Sequence, residues 1–248
     1  MTANQFYVPR LDPRGVRLTI QGGEHRHLAK AARVLAGESV WLFDAVGRRC
    51  LARVETVGKD RTELAVLIME EPAAPRLRLV LAVGLLEAKT MDLVVEKAAE
   101  LGCSAVVPVT SVRSLRMPEE RAAKRVERWA RVAREAVKQC KGRQTPAVEP
   151  PRALADFVST PPAGVRYFLS ERGGRPLREI VAGGAEAERA NPPASAVLLV
   201  GPKGGWTVGE ETDLRRAGFE ALSLGQRILR AETAALAGAA MLLHFWNG

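Results

Sequence analysis

The chain has 248 residues, 47% of them hydrophobic and 26% charged, so it can bury a substantial core and is not a disordered polyelectrolyte. Its 37 Lys and Arg against 28 Asp and Glu leave a formal net charge of +9, which suits a polyanionic partner such as a nucleic acid, or simply a basic surface. Cys50, Cys103 and Cys140 are far apart and form no C-x-x-C pair, which argues against a disulfide framework or a zinc ribbon and points to a reducing compartment.

The opening stretch MTANQFYVPRLDPRG has no apolar leader core, and no run reaches the length of a membrane span; the expected location is the cytoplasm, away from membranes. From Val16 to about Glu70 the runs VRLTI, SVWLFD, CLARVETV and TELAVLI are separated by Gly, Asp and Lys turns, which predicts a small β-rich domain. Glu24, His25 and His27 have no further ligands at a recognised spacing, so the histidines are read as surface or RNA-facing residues rather than a metal site. In EEPAAPR, residues 70–76, Pro72 and Pro75 stop both strand and helix. The chain is therefore divided into residues 1–72 and residues 73–248.

Beyond the linker, strands and helices alternate: LRLVLAV, then TMDLVVEKAAELG, then AVVPV, then a long helix from about Pro118 to Cys140, followed by RYFLS, AVLLV and ALSL. This pattern predicts an α/β domain with a mostly parallel sheet. VTSVRSLRM and CKGRQTPAVEPP read as loops, and AGGAEAERANPPAS as a small-residue surface segment or a fraying helix end. On the long helix, Val126, Trp129, Ala133, Ala136, Val137 and Cys140 share one face, while Arg121, Lys124, Arg125, Arg128, Arg131 and Lys138 lie opposite. That basic face is either a solvated one, partly paired with Glu127 and Glu135, or a phosphate-binding stripe.

GPKGGWTVGEE, residues 201–211, follows an apolar strand but has the spacing of neither a P-loop nor a dinucleotide turn. It reads as a tight strand-to-helix turn or a ligand loop. Thr207 with Glu210 three residues later forms a capping box, so a helix starts there and ends near Gly218. A second glycine loop lies in LSLGQRILRAETAALAGAAMLLHFW, where Arg227 and Arg230 flank Ile228 and Leu229 before an Ala-rich helix that begins at Glu232 and Thr233. Two such loops at the C-terminal edge of one sheet predict a partly apolar ligand pocket. His244 is expected to pack near the C-terminal helix interface, and no G-x-S-x-G or Cys/His arrangement supports hydrolysis.

KTMDLVVEKAAELG, VRS at 112–114, EAVKQC, LLVGPKGGWTVGEE, AGF at 217–219 and LGQRILRAETA occur in the order and spacing of a known family. With HLAKAARVLAGESVWLFDAVGR near the N-terminus, the chain resembles, over nearly its whole length, the bacterial 16S ribosomal RNA uridine N3-methyltransferases of the SPOUT class. The resemblance implies a trefoil-knotted C-terminal domain with a parallel sheet, a small N-terminal PUA-like β-barrel, and a homodimer. It also implies S-adenosylmethionine as methyl donor, no metal, and 16S ribosomal RNA, in the assembled small subunit, as partner. Carried onto this sequence, the donor site comprises Leu199, Gly201, Gly204 and Gly205 from one loop and Leu224, Gly225, Ile228 and Leu229 from the other.

Arg113 and Arg230 are the matching candidates to stabilise a uracil anion, with Glu171 or Glu232 as proton acceptor. His27, Lys30 and Arg33 in the first domain, Lys124, Arg128 and Arg131 on the long helix, and Lys203 are the candidate RNA contacts. Two positions depart from the family pattern: Lys203 stands where the family has Glu, and Gly142 where it commonly has Arg. A different SPOUT activity, such as ribose 2′-O methylation, and a non-catalytic RNA-binding factor are the alternative readings.

Overall fold

The computed structural model describes residues 4–72, 74–183 and 193–247, in two compact units. The first unit is Met1–Ala74 together with Val137–Thr145; the second is Pro75–Ala136 together with Pro146–Gly248. The AGGAEAERANPPAS segment falls largely outside the described residues.

In the first unit, β1 (Gln5–Tyr7), β2 (Arg17–Gln21), β3 (Ser39–Phe43), β4 (Arg49–Val57) and β5 (Arg61–Glu70) form a mixed sheet in the order β1-β3-β4-β5-β2. Alternating residues of these strands, among them Val40, Leu42, Cys50, Ala52, Val54 and Leu64, point into one core with Phe6, Leu11, Ile20 and Leu28. Between β2 and β3 the chain forms α1 (Gly22–Arg26) and a π-helical turn at His27–Ala31, which turn signals alone do not reveal.

This stretch corrects the reading of His25. Its ring is buried, with Nδ1 2.9 Å from Thr62 Oγ1 and Nε2 3.1 Å from the Lys59 carbonyl, so it is a satisfied interior residue rather than a surface one. The end of the long helix returns to this unit, where Lys138 pairs with Glu24 at 2.9 Å and Gln5 Nε2 donates to the Gly142 carbonyl at 2.7 Å. Lys138 is thus buried rather than on the solvated face, and Cys140, expected on the apolar face, is exposed.

The second unit is built on a parallel sheet in the order β11-β13-β10-β12-β6-β7-β8, with β9 beside β7. Its strands are β6 (Arg78–Gly84), β7 (Ala105–Thr110), β8 (Ala147–Val148), β9 (Arg152–Ala153), β10 (Val165–Leu169), β11 (Arg175–Pro176), β12 (Ser195–Val200) and β13 (Glu220–Ser223). The helices that follow them in the chain are α2 (Ala88–Leu101), α3 (Glu119–Cys140), α4 (Leu154–Ser159), α5 (Leu177–Gly183), α6 (Val208–Arg216) and α7 (Ala231–Asn247).

The central strands β6, β7 and β12 are almost continuously apolar and buried, as expected for strands covered on both faces. α3 begins at Glu119 and buries Trp129, Ala133 and Ala136 as its periodicity predicts. α7 lies close against β12, since a Cβ on Gly238 would stand 2.9 Å from Leu198 Cδ2. Phe245 and Trp246 are buried at the end of α7, whereas His244, expected to pack, is exposed.

Candidate active site

Register brings three side chains into one row at the C-terminal edge of the sheet. Leu169 is the direct partner of Leu222 across β10 and β13, and Phe168 pairs with Leu199 across β10 and β12, which sets Leu169 beside Val200. Leu169, Val200 and Leu222 line a cavity of about 280 Å³, and the loops that leave these same strands supply its walls. An open parallel sheet binds its ligands at this edge, where loops and helix N-termini converge.

The loop after β12 is held from several sides. Gly205 N–H donates to the Pro202 carbonyl at 2.9 Å, and the Gly205 φ of 65° is a left-handed conformation that glycine adopts without strain. Trp206 is 3% exposed; its indole belongs to the sheet core and its Nε1 donates to the Leu169 carbonyl at 3.1 Å. Thr207 and Glu210 form the expected capping box: Glu210 N donates to Thr207 Oγ1 at 3.1 Å and Thr207 N to Glu210 Oε2 at 2.8 Å. The remaining Glu210 oxygen accepts from Val112 N at 2.9 Å. Gly84, at the end of β6, lies so close beneath that a Cβ there would collide with the Pro202 backbone nitrogen.

A buried carboxylate ties this loop to the one after β10. Glu211 Oε1 accepts from Ser170 Oγ at 2.9 Å and Arg172 Nη1 at 2.9 Å, while Oε2 accepts from Arg215 Nη1 at 3.2 Å. Arg172 Nη2 continues to the Trp206 carbonyl at 2.8 Å. The burial of Glu211 is thereby matched by charge-assisted hydrogen bonds from two guanidinium groups.

The loop after β13, from Leu224 to Arg230, is held far less. Its hydrogen bonds among the described residues are those of Ser223 Oγ with the Gly225 amide and carbonyl, both at 3.2 Å, and that of Ala234 N to the Arg230 carbonyl at 2.8 Å, where α7 begins. A Cβ on Gly225 would meet nothing within 4 Å, and Ile228 is 76% exposed.

Most of the expected site residues meet in this cavity. Gly201, Gly205, Leu224, Gly225, Ile228 and Leu229 are on its wall, as are Glu171, Lys203 and Arg230. Leu199, wholly buried in the core, and Gly204, Arg113 and Glu232 are not on the wall. Arg113 instead braces the glycine loop from outside: its Nη1 donates to the Gly204 carbonyl at 3.0 Å and the Trp206 carbonyl at 3.4 Å.

Ser170, Arg172, Trp206, Glu211 and Arg227 complete the setting, and motif spacing did not single them out for the site. The signal for Ser170 and Arg172 is their place at the end of the run RYFLS and two residues beyond it, beside two other strand ends. Burial pushes the Cys50 thiol up to about 11 and the Cys103 thiol up to about 12, so neither supplies a thiolate near neutral pH.

Of the candidate RNA contacts outside the cavity, Lys30, Arg33, Lys124 and Arg131 are exposed. His27 is half-buried with its ring edge-on to Phe6 at 5.3 Å. Arg128 is engaged by Asp92, with Nη2 2.7 Å from Oδ2, which favours the paired, solvated reading at that position.

A cavity walled by three loops at one edge of a parallel sheet defines a ligand-binding α/β domain whose chemistry depends on the loops. The family profile of an RNA methyltransferase domain matches residues 73–243, and the chain belongs to that family. Ribosomal RNA small subunit methyltransferase E of Mycobacterium tuberculosis is 30% identical over 264 residues, covering 100% of this chain and 95% of that protein. The protein of the same name from Synechocystis is 29% identical over 219 residues, covering 88% and 69% respectively. Among solved structures, a ribosomal RNA small subunit methyltransferase E from Neisseria gonorrhoeae bound to S-adenosyl methionine has a TM-score of 0.87 at 31% identity. That match covers 99% of this chain and 98% of that one.

Proposed function

We propose that this protein transfers a methyl group from S-adenosylmethionine to N3 of a uridine in the 16S ribosomal RNA of the small subunit. The observation that carries the proposal is the near full-length similarity to a ribosomal RNA small subunit methyltransferase E bound to that donor, together with the three-loop cavity at the matching family motifs. The residues present fit the donor. Leu169, Leu222, Leu224, Ile228 and Leu229 offer apolar cover for an adenine ring, and the backbone at Gly225 opens onto free space.

When bound, the donor supplies a methyl group already activated on a sulfonium. The chain's task is to align a uracil with it and to manage the N3 proton. Glu171 accepts that proton in this reading as N3 becomes bonded to carbon, supported by its position on the wall without a side-chain hydrogen bond or ion pair among the described residues. Arg230, also on the wall and unpaired among the described residues, stabilises the negative charge that develops on the uracil oxygens. Glu232 stands off the wall, which favours Glu171 as acceptor. Arg113 acts through the glycine loop, as a positioning residue.

The wider reading follows the family resemblance. It comprises a PUA-like RNA-binding domain over residues 1–72, a knotted methyltransferase domain over residues 73–248, a homodimer, action on the assembled small subunit, and a cytoplasmic location. No helix of the described residues is long and apolar enough to cross a membrane.

The test is transfer of labelled methyl from S-adenosylmethionine to unmodified small subunits, followed by nucleoside mass spectrometry. The expected product is 3-methyluridine. A ribose-methylated product would replace the proposed reaction, and donor binding without transfer would favour a non-catalytic RNA-binding factor.

A further inference from the structure

Six ionisable side chains line the cavity: Glu171, Arg172, Lys203, Glu211, Arg227 and Arg230. Arg172 and Glu211 neutralise each other at 2.9 Å. Glu171 then faces three cations, Lys203, Arg227 and Arg230, none of which forms an ion pair or side-chain hydrogen bond among the described residues. Lys203 belongs to the loop after β12 and Arg227 to the loop after β13, and both are exposed.

This surplus of positive charge is at odds with the donor alone. S-adenosylmethionine carries a sulfonium and an ammonium against one carboxylate, so it enters an already cationic cavity as a cation. Like charges repel, and salt largely screens them only at separations beyond about 8 Å at physiological ionic strength. An RNA substrate brings an anion in every phosphodiester, which offsets this surplus of charge where water and mobile ions otherwise do so. Lys and Arg on two loops at the mouth of one cavity are the side chains that hold phosphate oxygens.

We propose that Lys203 and Arg227 grip a phosphodiester of the RNA substrate at the rim of the donor cavity, so that bound RNA strengthens donor binding. This rests on the reading that the cavity holds the donor. The coupling is reciprocal, since whatever factor RNA adds to donor affinity the donor adds to RNA affinity. The polyanion offsets the charge of two loops that already flank the cavity in the unliganded protein.

The test uses the full-length protein, unmodified small-subunit ribosomal RNA, and sinefungin, an unreactive donor analogue that keeps the positive charge. Lys203→Gln and Arg227→Gln should each weaken RNA binding about three- to tenfold near physiological salt and lower the slope of log affinity against log salt by about 0.7–0.9. Without RNA, the same variants should bind sinefungin as well as the parent or up to about threefold tighter, because a like charge has gone. RNA should tighten sinefungin binding to the parent and do so less in the variants. Lys203→Arg and Arg227→Lys, which keep the charge, should restore the parent values.

Unchanged RNA affinity and salt slope would overturn the proposal, and so would equal weakening of both ligands, which marks a loop that has lost its shape. A parent protein that does not bind sinefungin would instead defeat the donor reading, and the RNA affinities and salt slopes would still decide whether the two side chains hold phosphate.

Discussion

The two glycine loops leave neighbouring regions of one sheet and face the same cavity, yet they are built on opposite terms. Residues 201–207 are fixed by the buried indole of Trp206, by guanidinium groups from Arg113 and Arg172, and by a capping box. Among the described residues, 224–230 are held by the contacts of Ser223 with Gly225 and by the Arg230 carbonyl, which accepts from Ala234 N at the start of α7, and they present Ile228 and three flanking polar side chains to solvent. The first loop contributes to the fold whether or not a ligand is bound. The second has little to lose by moving, and its apolar side chains gain burial only from a ligand. Rigid floor and adaptable cover are a division of labour that a small cavity needs if a donor is to enter it and be enclosed.

Breaking the fixed loop should therefore cost stability first and function as a consequence. Trp206→Ala removes a nearly buried indole from the sheet core, and the expected loss is about 3–5 kcal/mol in denaturant unfolding, with donor binding lost alongside. Gly84→Ala attacks the same loop from beneath. Its new Cβ would meet the Pro202 backbone, which cannot rotate away as a side chain can, and overpacking of this kind costs about 1–3 kcal/mol. A Gly84→Ala protein with parental stability and donor affinity would show that the loop after β12 shifts freely, and the contrast between the loops would fail.

The same contrast explains what could be read from the sequence. The glycine loop announced its helix through Thr207 and Glu210, a local signal that the structure reproduces bond for bond. The buried strands β6, β7, β10, β12 and β13 were legible as apolar runs, and their alternation with helices implied parallel pairing. Pairing order was not legible. Nothing local tells β10 to lie between β12 and β13, yet that order alone brings Ser170, Glu171 and Arg172 to the cavity.

Charges were read least well, because an ion pair depends on a partner far along the chain. Lys138 reaches Glu24 across 114 positions, and Arg128 reaches Asp92 across 36. His25 likewise became an interior residue through Thr62 and Lys59, on a strand and turn that helical or turn periodicity near residue 25 cannot foresee. Short elements such as β1, β8, β9 and β11 have too few residues to show a period at all.

The sharpest probe of the adaptable loop is the substitution with the smallest effect on folding. Ile228 is 76% exposed, so Ile228→Ser removes almost no buried apolar area, and the expected stability change is within about 0.5 kcal/mol. If a donor is covered by this side chain, binding buries it, and burial of an aliphatic side chain is worth about 1.5–3 kcal/mol when complete. Partial burial of about 1.4 kcal/mol corresponds to a tenfold loss of donor affinity, measurable by titration calorimetry in the absence of RNA. The two measurements must separate for the comparison to hold: an affinity that falls while the unfolding midpoint stays put identifies a side chain whose packing partner is the ligand. An affinity that does not change would leave Ile228 facing solvent or RNA and would assign the apolar cover to Leu224 and Leu229, which are already half-buried in the unliganded cavity wall.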